Sequence, residues 1–317
     1  MGGMTSRLSV DIGVALWQRE GTANHVADLV DQSRGLYERG IPAVWFGQRQ
    51  DHDATTVAAV VGAAVPGLRV GTSVVPLGPR HPIMLGSQAQ TANAASGGRF
   101  TLGVGVAGSE RDAATFGVRI ARPIAHLREA LAVLDAYRGM GTVDHAGPHL
   151  VAHTPVPSQI AGGGGFGLLV AALGEQALRV TGELADGSIP FLTGPRTIAD
   201  RVVPGLLAGS DGAPRRVVAG VVAIVTDDAD GVREIVRPAL DFYATIPSYR
   251  SVLAAEGAAH PIDLALIGDE DEVAAGLRRY VDAGATELYV TQTDLGGRRA
   301  QQRTWDLLAG LTRTAPN

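Results

Sequence analysis

Short apolar runs rich in β-branched residues alternate along this chain with longer segments of helical periodicity. Eight runs are typical of buried strands: 8–14, 43–46, 69–75, 100–104, 168–172, 187–191, 217–225 and 287–291. Helical spacing recurs at 25–39, 54–64, 83–95, 124–138, 175–185, 195–207, 228–243, 271–283 and about 301–311. Strict alternation predicts a parallel sheet, and eight repeats predict an α/β fold of the (β/α)8 barrel type.

The whole chain, 1–317, is predicted to form one domain, because barrels of this class reach this length and no linker divides the sequence. Two stretches exceed simple connections, about 106–123 and about 246–263. We expect both as insertions at the C-terminal face of the strands, where such barrels bind ligands. Residues 107–112 are predicted to form a lid there, with a solvated surface loop as the alternative.

Charge and composition exclude several functions. The 27 Lys and Arg against 32 Asp and Glu give a net charge of −5, which argues against nucleic acid and anionic membranes as partners. The absence of cysteine excludes disulfides and cysteine nucleophiles. No apolar run reaches the roughly 18 residues of a membrane span, and no secretory signal is evident. We expect a cytoplasmic protein that acts on a small molecule.

Three linked motifs mark one strand–helix–strand unit: GTSVVP at 71–76, RHP at 80–82 and SGGRFTLGVG at 96–105. In this order they resemble the bacterial luciferase-like flavin and deazaflavin oxidoreductases. The resemblance extends over nearly the whole chain and is strongest to an actinobacterial deazaflavin-dependent branch. It implies a TIM barrel with its cofactor at the C-terminal strand ends. The residues implied there are Thr72, Ser73, Val74, Gly105 and Val106.

The resemblance implies two further features of the cofactor site. Family members typically carry a non-prolyl cis peptide at the position of Ser73–Val74, where it forms a bulge against the central ring. The second feature is the turn AALGEQ, in which a strand leads directly into a helix whose first N–H groups attract anions. In the family this turn holds the cofactor phosphate, with a plain tight turn at Gly174 as the alternative. The residues concerned are Ala172, Leu173, Gly174, Glu175 and Gln176.

The residues directly after the fourth strand bear on the identity of the cofactor. Flavin mononucleotide (FMN) users of this superfamily commonly have an arginine there, whereas this chain has Val106-Ala107-Gly108. The resemblance therefore favours the deazaflavin coenzyme F420, with FMN as the alternative. Arg111, Arg119 and Arg122 are candidates to meet the carboxylates of F420, unless they are solvated loop charges.

Two residues are candidates for the chemistry itself, Trp17 and Gln48, because they follow the first and second strands. Trp17 is predicted to be a substrate wall or a packed core ring, and Gln48 to hydrogen-bond the cofactor. Sugar-phosphate dehydrogenases of this family carry an Asp-His pair and a Glu where this chain has Gln48, Arg49 and Val106, which argues against a sugar phosphate. Residues 247–250, PSYR, reach either the substrate or a partner subunit.

The histidines do not predict a metal site. His145, His149 and His153 are four residues apart, but Gly147-Pro148 interrupts any helix there, and the family usually has a β-hairpin at this point. The glycine run at 162–165 lacks a GK[ST] ending and precedes a strand, so we interpret it as a connection.

Together these features predict an F420-dependent oxidoreductase that transfers hydride between C5 of the deazaflavin and a small organic substrate. The absence of an alcohol-activating base favours a reductase. The main alternative is an FMN-dependent luciferase-like monooxygenase, and a non-catalytic barrel that stores or senses the cofactor is another. A metal hydrolase ranks last. Family members are often dimers, so we expect a homodimer formed through helices near the second and third strands.

Overall fold

The computed structural model describes residues 7–106 and 110–312, and its central feature is a closed barrel of parallel strands. The eight strands are β1 (Asp11–Ala15), β2 (Ala43–Phe46), β3 (Arg69–Thr72), β4 (Phe100–Gly105), β5 (Gly167–Ala171), β6 (Gly187–Ser188), β7 (Arg216–Val225) and β8 (Glu287–Thr291). Each strand pairs with the next, and β8 also pairs with β1, which closes the barrel. The predicted (β/α)8 fold is confirmed.

Helices surround the barrel, and several begin at short polar side chains that accept hydrogen bonds from first-turn N–H groups, as Asn24, Asp53 and Asp269 do. The helices are His25–Glu38, Ala54–Ala64, Pro82–Ala95, Glu110–Phe116, Pro123–Met140, Glu175–Leu184, the consecutive turns Pro195–Thr197, Ile198–Val202 and Val203–Gly209, then Ala229–Thr245, Pro247–Glu256, Glu270–Asp282 and Gly297–Leu311. None of these helices combines the length and apolar character needed to cross a bilayer.

Two predicted strands are interrupted in the structure. The third ends at Thr72, and the chain resumes pairing with β4 only at Val75–Pro76. The sixth is reduced to Gly187–Ser188, followed by a single bridge between Phe191 and Gly220. Both interruptions occur where the chain bends at the C-terminal end of the barrel.

The region after β7 differs most from the prediction. The first seven residues of β7 pair with β6 and β8, whereas its last three residues pair with an additional short strand, Leu266–Gly268. The helices Ala229–Thr245 and Pro247–Glu256 and the 3-10 turn Pro261–Leu264 lie between these two strands. The helix Glu270–Asp282 is therefore the one that leads into β8, and the excursion from the barrel begins earlier than the predicted 246–263.

Large aromatic rings fill the barrel interior beneath its mouth. Trp45 and Tyr289 lie with ring centroids 5.9 Å apart, within a buried apolar cluster that includes Leu169. A side chain at Gly71 would overlap the Trp45 ring, and one at Gly220 would overlap the ring of Tyr289. These two glycines therefore make room for the rings that close the floor of the barrel.

Two of the three sequence motifs have structural roles. Arg99 of the SGGRF motif donates hydrogen bonds to the carbonyls of Gly62 and Leu68, at the end of the barrel where strands begin. His81 of the RHP motif begins the helix Pro82–Ala95, where its Nδ1 accepts a hydrogen bond from the Ile83 N–H. Both motifs fix connections between elements.

Candidate active site

A cavity of about 1050 Å³ opens at the C-terminal ends of the strands. Its floor and sides come from strand ends and the loops that follow them: Trp17, Gln48, Arg49, Gln50, Val74, Pro76, Gly105, Val106, Ala171, Ala172, Leu173, Gly174, Ala177, Pro190 and Phe191. Its upper wall comes from two excursions: Thr115, Phe116, Pro123, Ile124, Phe242, Ile246, Pro247, Ser248 and Tyr249. The cavity therefore lies where barrels of this class carry their active sites.

The floor includes the end of the third strand. The peptide bond between Ser73 and Val74 is cis, as the resemblance implies. The Ser73 N–H donates to the Phe46 carbonyl at 2.8 Å, and Val74 lines the cavity. Thr72 does not line it: its side chain is fully buried, and its hydroxyl bonds to both the N–H and the carbonyl of Gly103. Thr72 therefore joins β3 to β4 beneath the floor.

The helix Glu175–Leu184 begins at the cavity wall. Gly174 precedes it and provides no side-chain cap for the first N–H groups of this helix. Ala172, Leu173 and Gly174 line the cavity, while Glu175 and Gln176 are exposed beside it. Uncapped N–H groups and the positive end of the helix dipole favour an anion at this point.

Gln48 lines the cavity, but its amide is used within the protein. Its nitrogen donates to the carbonyls of Arg49 and His52, at 2.6 and 2.8 Å. Its oxygen accepts from the Ala54 N–H and from Arg80, all at 3.2 Å. Arg80 in turn pairs with Asp53, the cap of the next helix. Gln48 therefore organises this loop, and its predicted contact with a cofactor stays a prediction.

Trp17 forms one side wall. The ring is part-buried, lines the cavity and is covered by Arg49, whose guanidinium carbon lies 5.4 Å from the ring centroid. Arg49 also pairs with Asp51 at 3.2 Å. Desolvation alone would raise the pKa of the Asp51 carboxyl, but the charge of Arg49 and the hydrogen bonds to the carboxylate together hold it below its usual value. The arginine charge is thus compensated before any ligand binds.

Three aromatic rings, those of Phe191, Phe242 and Tyr249, form the opposite wall, and the ring of Tyr243 packs against all three. Tyr243 lies edge-on to Phe191, Phe242 and Tyr249, with centroids 5.2, 5.8 and 5.1 Å apart. Burial raises the pKa of Tyr249 well above its ordinary value, with a further contribution from Tyr243 and Tyr289. Among the described lining residues Arg49 and Tyr249 are the titratable ones, and none is a carboxylate or histidine.

Several predicted residues lie elsewhere. Residues 107–109 of the proposed lid fall outside the described part of the chain, and so does the side chain of Arg111. The helix Glu110–Phe116 comes directly after them and contributes Thr115 and Phe116 to the cavity. Arg119 and Arg122 are exposed and do not line the cavity. Of residues 247–250, the first three line the cavity and Arg250 does not.

The spaced histidines occupy the predicted β-hairpin, Asp144–Ala146 and Val151–His153. His145 approaches Glu129 at 3.4 Å, whereas His153 approaches Asp144 at 3.3 Å. Within residues 7–106 and 110–312, no group of three or more His, Asp or Glu side chains is placed to hold a metal ion.

The aromatic wall has little trace in the local sequence. Phe191 and Phe242 lie within a predicted strand and a predicted helix, and nothing in their local pattern marks them as cavity residues. Pro190-Phe191 directly after the sixth strand is the one usable signal, because residues after barrel strands face the mouth.

The chain is similar to known proteins in sequence. The family model described as luciferase-like monooxygenase matches residues 7–287. A Mycobacterium tuberculosis protein described by name as a coenzyme F420-dependent oxidoreductase is 27% identical over 207 residues, which span 61% of this chain and 58% of that protein. Phthiodiolone/phenolphthiodiolone dimycocerosates ketoreductase of Mycobacterium bovis is 27% identical over 212 residues, which span 64% of this chain and 55% of that protein. The matches thus span somewhat more than half the length of these relatives.

Solved structures show the same fold at low sequence identity. The coenzyme F420-dependent tetrahydromethanopterin reductase of Methanopyrus kandleri superposes with a TM-score of 0.79 at 19% identity, covering 96% of this chain and 99% of that one. The oxygenating constituent of 3,6-diketocamphane monooxygenase of Pseudomonas putida, in complex with FMN, gives a TM-score of 0.73 at 15% identity, covering 95% and 97%.

Proposed function

The chain belongs to the luciferase-like monooxygenase family, and from this premise we propose that it is a coenzyme F420-dependent oxidoreductase. The single observation that carries the proposal is the pairing, in one cavity, of a flat floor at Val74 and Gly105 with an uncapped helix start at Gly174. A cofactor that consists of a flat ring joined to an anionic chain needs both a flat surface and an anion site.

The residues present fit such a cofactor. Val74, Gly105 and Ala171 offer small or flat surfaces on which a ring system can lie. A side chain at Gly105 would approach Val74 to 2.9 Å, so a larger residue there would disturb the floor. Gly174 faces open space, since a Cβ atom at this position would meet nothing within 4 Å, and it leaves the helix N–H groups accessible to a phosphate.

When bound, the deazaflavin would supply hydride chemistry, while the protein supplies binding, orientation and exclusion of water. Val74 and Gly105 would support the ring, and the first N–H groups of Glu175–Leu184 would hold the phosphate. Gln48 would act indirectly by fixing the loop that borders the cavity. Trp17 and the aromatic wall would enclose the substrate beside the ring.

The reductive direction has two supports. Oxidation of an alcohol usually needs a base, and the described lining residues include no carboxylate or histidine. One relative is named as a ketoreductase. We therefore propose hydride transfer to a small organic acceptor.

A cytoplasmic location and a homodimer belong to the same proposal. The dimer is supported by exposed apolar side chains. Val60 and Met84 are 41% and 61% exposed on the helices that follow the second and third strands, and Val151 is 68% exposed on a hairpin strand whose carbonyl contacts His81.

An FMN-dependent monooxygenase is the second candidate, because an FMN-containing monooxygenase shares the fold. Parallel titration of the protein with F420 and with FMN distinguishes the two, with tryptophan emission as one signal and cofactor emission as the other. Trp17→Phe serves as a control that removes the contribution of Trp17 to the first signal, leaves that of Trp45 and Trp305, and keeps the second signal. Micromolar binding of F420 with at least tenfold weaker FMN binding supports the proposal, the reverse order supports the monooxygenase, and binding of neither refutes both.

A further inference from the structure

The aromatic wall holds Tyr249 in a fixed position above the cavity. Tyr249 lies in the first turn of the helix Pro247–Glu256, which packs on Ala229–Thr245. Its ring meets the Tyr243 ring at 71° and 5.1 Å, and Tyr243 meets Phe191 at 71° and 5.2 Å. Edge-to-face contacts of this kind stabilise one ring orientation. The rings thus connect Tyr249 to the end of the sixth barrel strand.

The hydroxyl of Tyr249 is a donor without an acceptor among the residues that the structure describes. It makes no hydrogen bond to any other described residue, although the residue lines the cavity, whereas the buried hydroxyl of Tyr280 donates to the Thr193 carbonyl. Gln48 and Arg49 on the described wall also have protein acceptors. The remaining polar residues of that wall are exposed, namely Gln50, Thr115 and Ser248. A part-buried phenol with its hydrogen-bonding capacity unused is suited to a ligand oxygen.

The cavity around Tyr249 favours a neutral, apolar ligand. Its upper wall is made mostly of apolar side chains, among them Phe116, Ile124, Phe242 and Ile246. The charge of Arg49 is compensated by Asp51, and the described lining residues include no carboxylate. Among the described lining residues an anionic substrate would find no free cation to offset the loss of its hydration.

We infer that the Tyr249 hydroxyl binds the carbonyl oxygen of an apolar, planar ketone or enone that lies against Phe191 and Phe242, and that it supplies the proton of the reduction. The inference rests on the proposed function. In a ketone the carbonyl carbon would accept the hydride that the reduced cofactor supplies, the C=O π bond would break, and the oxygen would take the phenolic proton to give an alcohol. In an enone reduced at the alkene the β-carbon would accept the hydride, and the electrons would shift so that the oxygen takes the phenolic proton and forms an enol, which becomes the saturated ketone. Loss of the hydride, with release of a proton to solvent, would oxidise the cofactor, and solvent water would return a proton to the phenolate.

Burial gives this step a consistent protonation state. Because burial raises the pKa of Tyr249 well above its ordinary value, the phenol stays protonated across neutral pH and remains a donor. Within the described part of the chain the other titratable groups that face it are the phenols of Tyr243 and Tyr289, and phenols carry no charge near neutral pH. Substrate binding through this hydroxyl is therefore expected to be independent of pH from about 6 to about 9.

The test uses the full chain and two probes of similar shape, 2-acetonaphthone and 2-ethylnaphthalene. The wild type, Tyr249→Phe and the control Tyr37→Phe are titrated without cofactor by quenching of protein fluorescence. Tyr37 is an exposed tyrosine of the first helix, remote from the cavity lining. We expect Tyr249→Phe to raise the Kd for the ketone about three- to tenfold and to leave the Kd for the hydrocarbon within twofold of the wild type. Tyr37→Phe should change neither Kd.

A second readout is single-turnover reduction of 2-acetonaphthone by reduced F420. The rate is expected to fall at least about 100-fold in Tyr249→Phe. Ketone binding that is equal in the wild type and Tyr249→Phe, or no binding of either probe, overturns the inference. F420 titration of the same samples separates the two proposals. F420 binding without a Tyr249-dependent preference for the ketone refutes this inference alone. Tyr249-dependent ketone binding without F420 binding refutes the proposed function and the proton step with it.

Discussion

Replacing Gly174 with Asp is expected to stabilise the protein and, at the same time, to weaken cofactor binding. Gly174 precedes the helix Glu175–Leu184 with φ −86° and ψ 147°, a conformation that any residue adopts. A side chain there meets nothing within 4 Å. An aspartate at this position would accept hydrogen bonds from the first-turn N–H groups, which a glycine leaves unsatisfied.

The two expected effects have opposite signs. A better cap together with a less flexible unfolded chain should raise the free energy of unfolding by about 0.5–1 kcal/mol. A cofactor phosphate at the same N–H groups would then lie about 4 Å from a second negative charge. Such a pair repels by about 1 kcal/mol in water and by about 4 kcal/mol near a protein surface. These two limits correspond to a Kd roughly 5-fold and roughly 900-fold higher, and for this exposed helix start we expect a value in the lower part of that range.

Gly174→Asn is the matched control, because asparagine caps the helix as aspartate does and carries no charge. F420 binding to the three proteins is measured by cofactor fluorescence, and stability by urea unfolding. The difference in Kd between the Asp and Asn variants isolates the effect of the charge, and this difference should become smaller at high salt. Equal Kd values for the two folded variants would show that no anion binds at this helix start, which would refute the reasoning. Loss of stability in Gly174→Asp would refute the capping argument.

Three other substitutions probe the loop, the barrel rim and the interface. Gln48→Ala should lower the free energy of unfolding, measured in urea without cofactor, by about 1–3 kcal/mol, because four groups in its loop lose a hydrogen-bond partner. Unchanged stability would instead indicate that Gln48 serves to bind the ligand. Arg99→Met should cost about 2–4 kcal/mol while the Kd for F420 stays within twofold, and a large change in Kd would contradict the structural role of its motif. Met84→Asp should convert the proposed dimer to a monomer in light scattering, and a monomeric wild type would contradict the dimer.

The periodicity of the sequence predicts the barrel well because buried strands and covering helices each follow one repeating pattern. The strand Leu266–Gly268 escapes it because three residues are too few to show a pattern. That strand exists because β7 extends beyond the barrel and its last residues need a pairing partner. Such a requirement depends on the length of a neighbouring strand, which local sequence does not contain.

The linked motifs identify the family, but only part of them faces the cavity. Val74 and Gly105 line it, whereas Arg99 binds carbonyls at the opposite end of the barrel and Arg80 binds Asp53 and Gln48 in a loop. A motif shared within a family therefore marks what the fold requires as readily as what a ligand requires. The distinction depends on which atoms a side chain contacts, and these contacts come from segments distant in sequence.

Gln48 and Tyr249 illustrate why position along the chain ranks candidate ligands poorly. Gln48 follows a barrel strand and so is the stronger candidate by position, yet every polar atom of its side chain has a protein partner. To bind a ligand it would have to break bonds that hold its own loop. Tyr249 lies in an excursion that no barrel strand directly precedes in the sequence, and among the described residues its hydroxyl has no such bond to break. If the proposed function holds, the strand ends supply the cofactor site and the excursion after β7 supplies substrate recognition, so relatives that differ in this excursion should share the cofactor and differ in substrate.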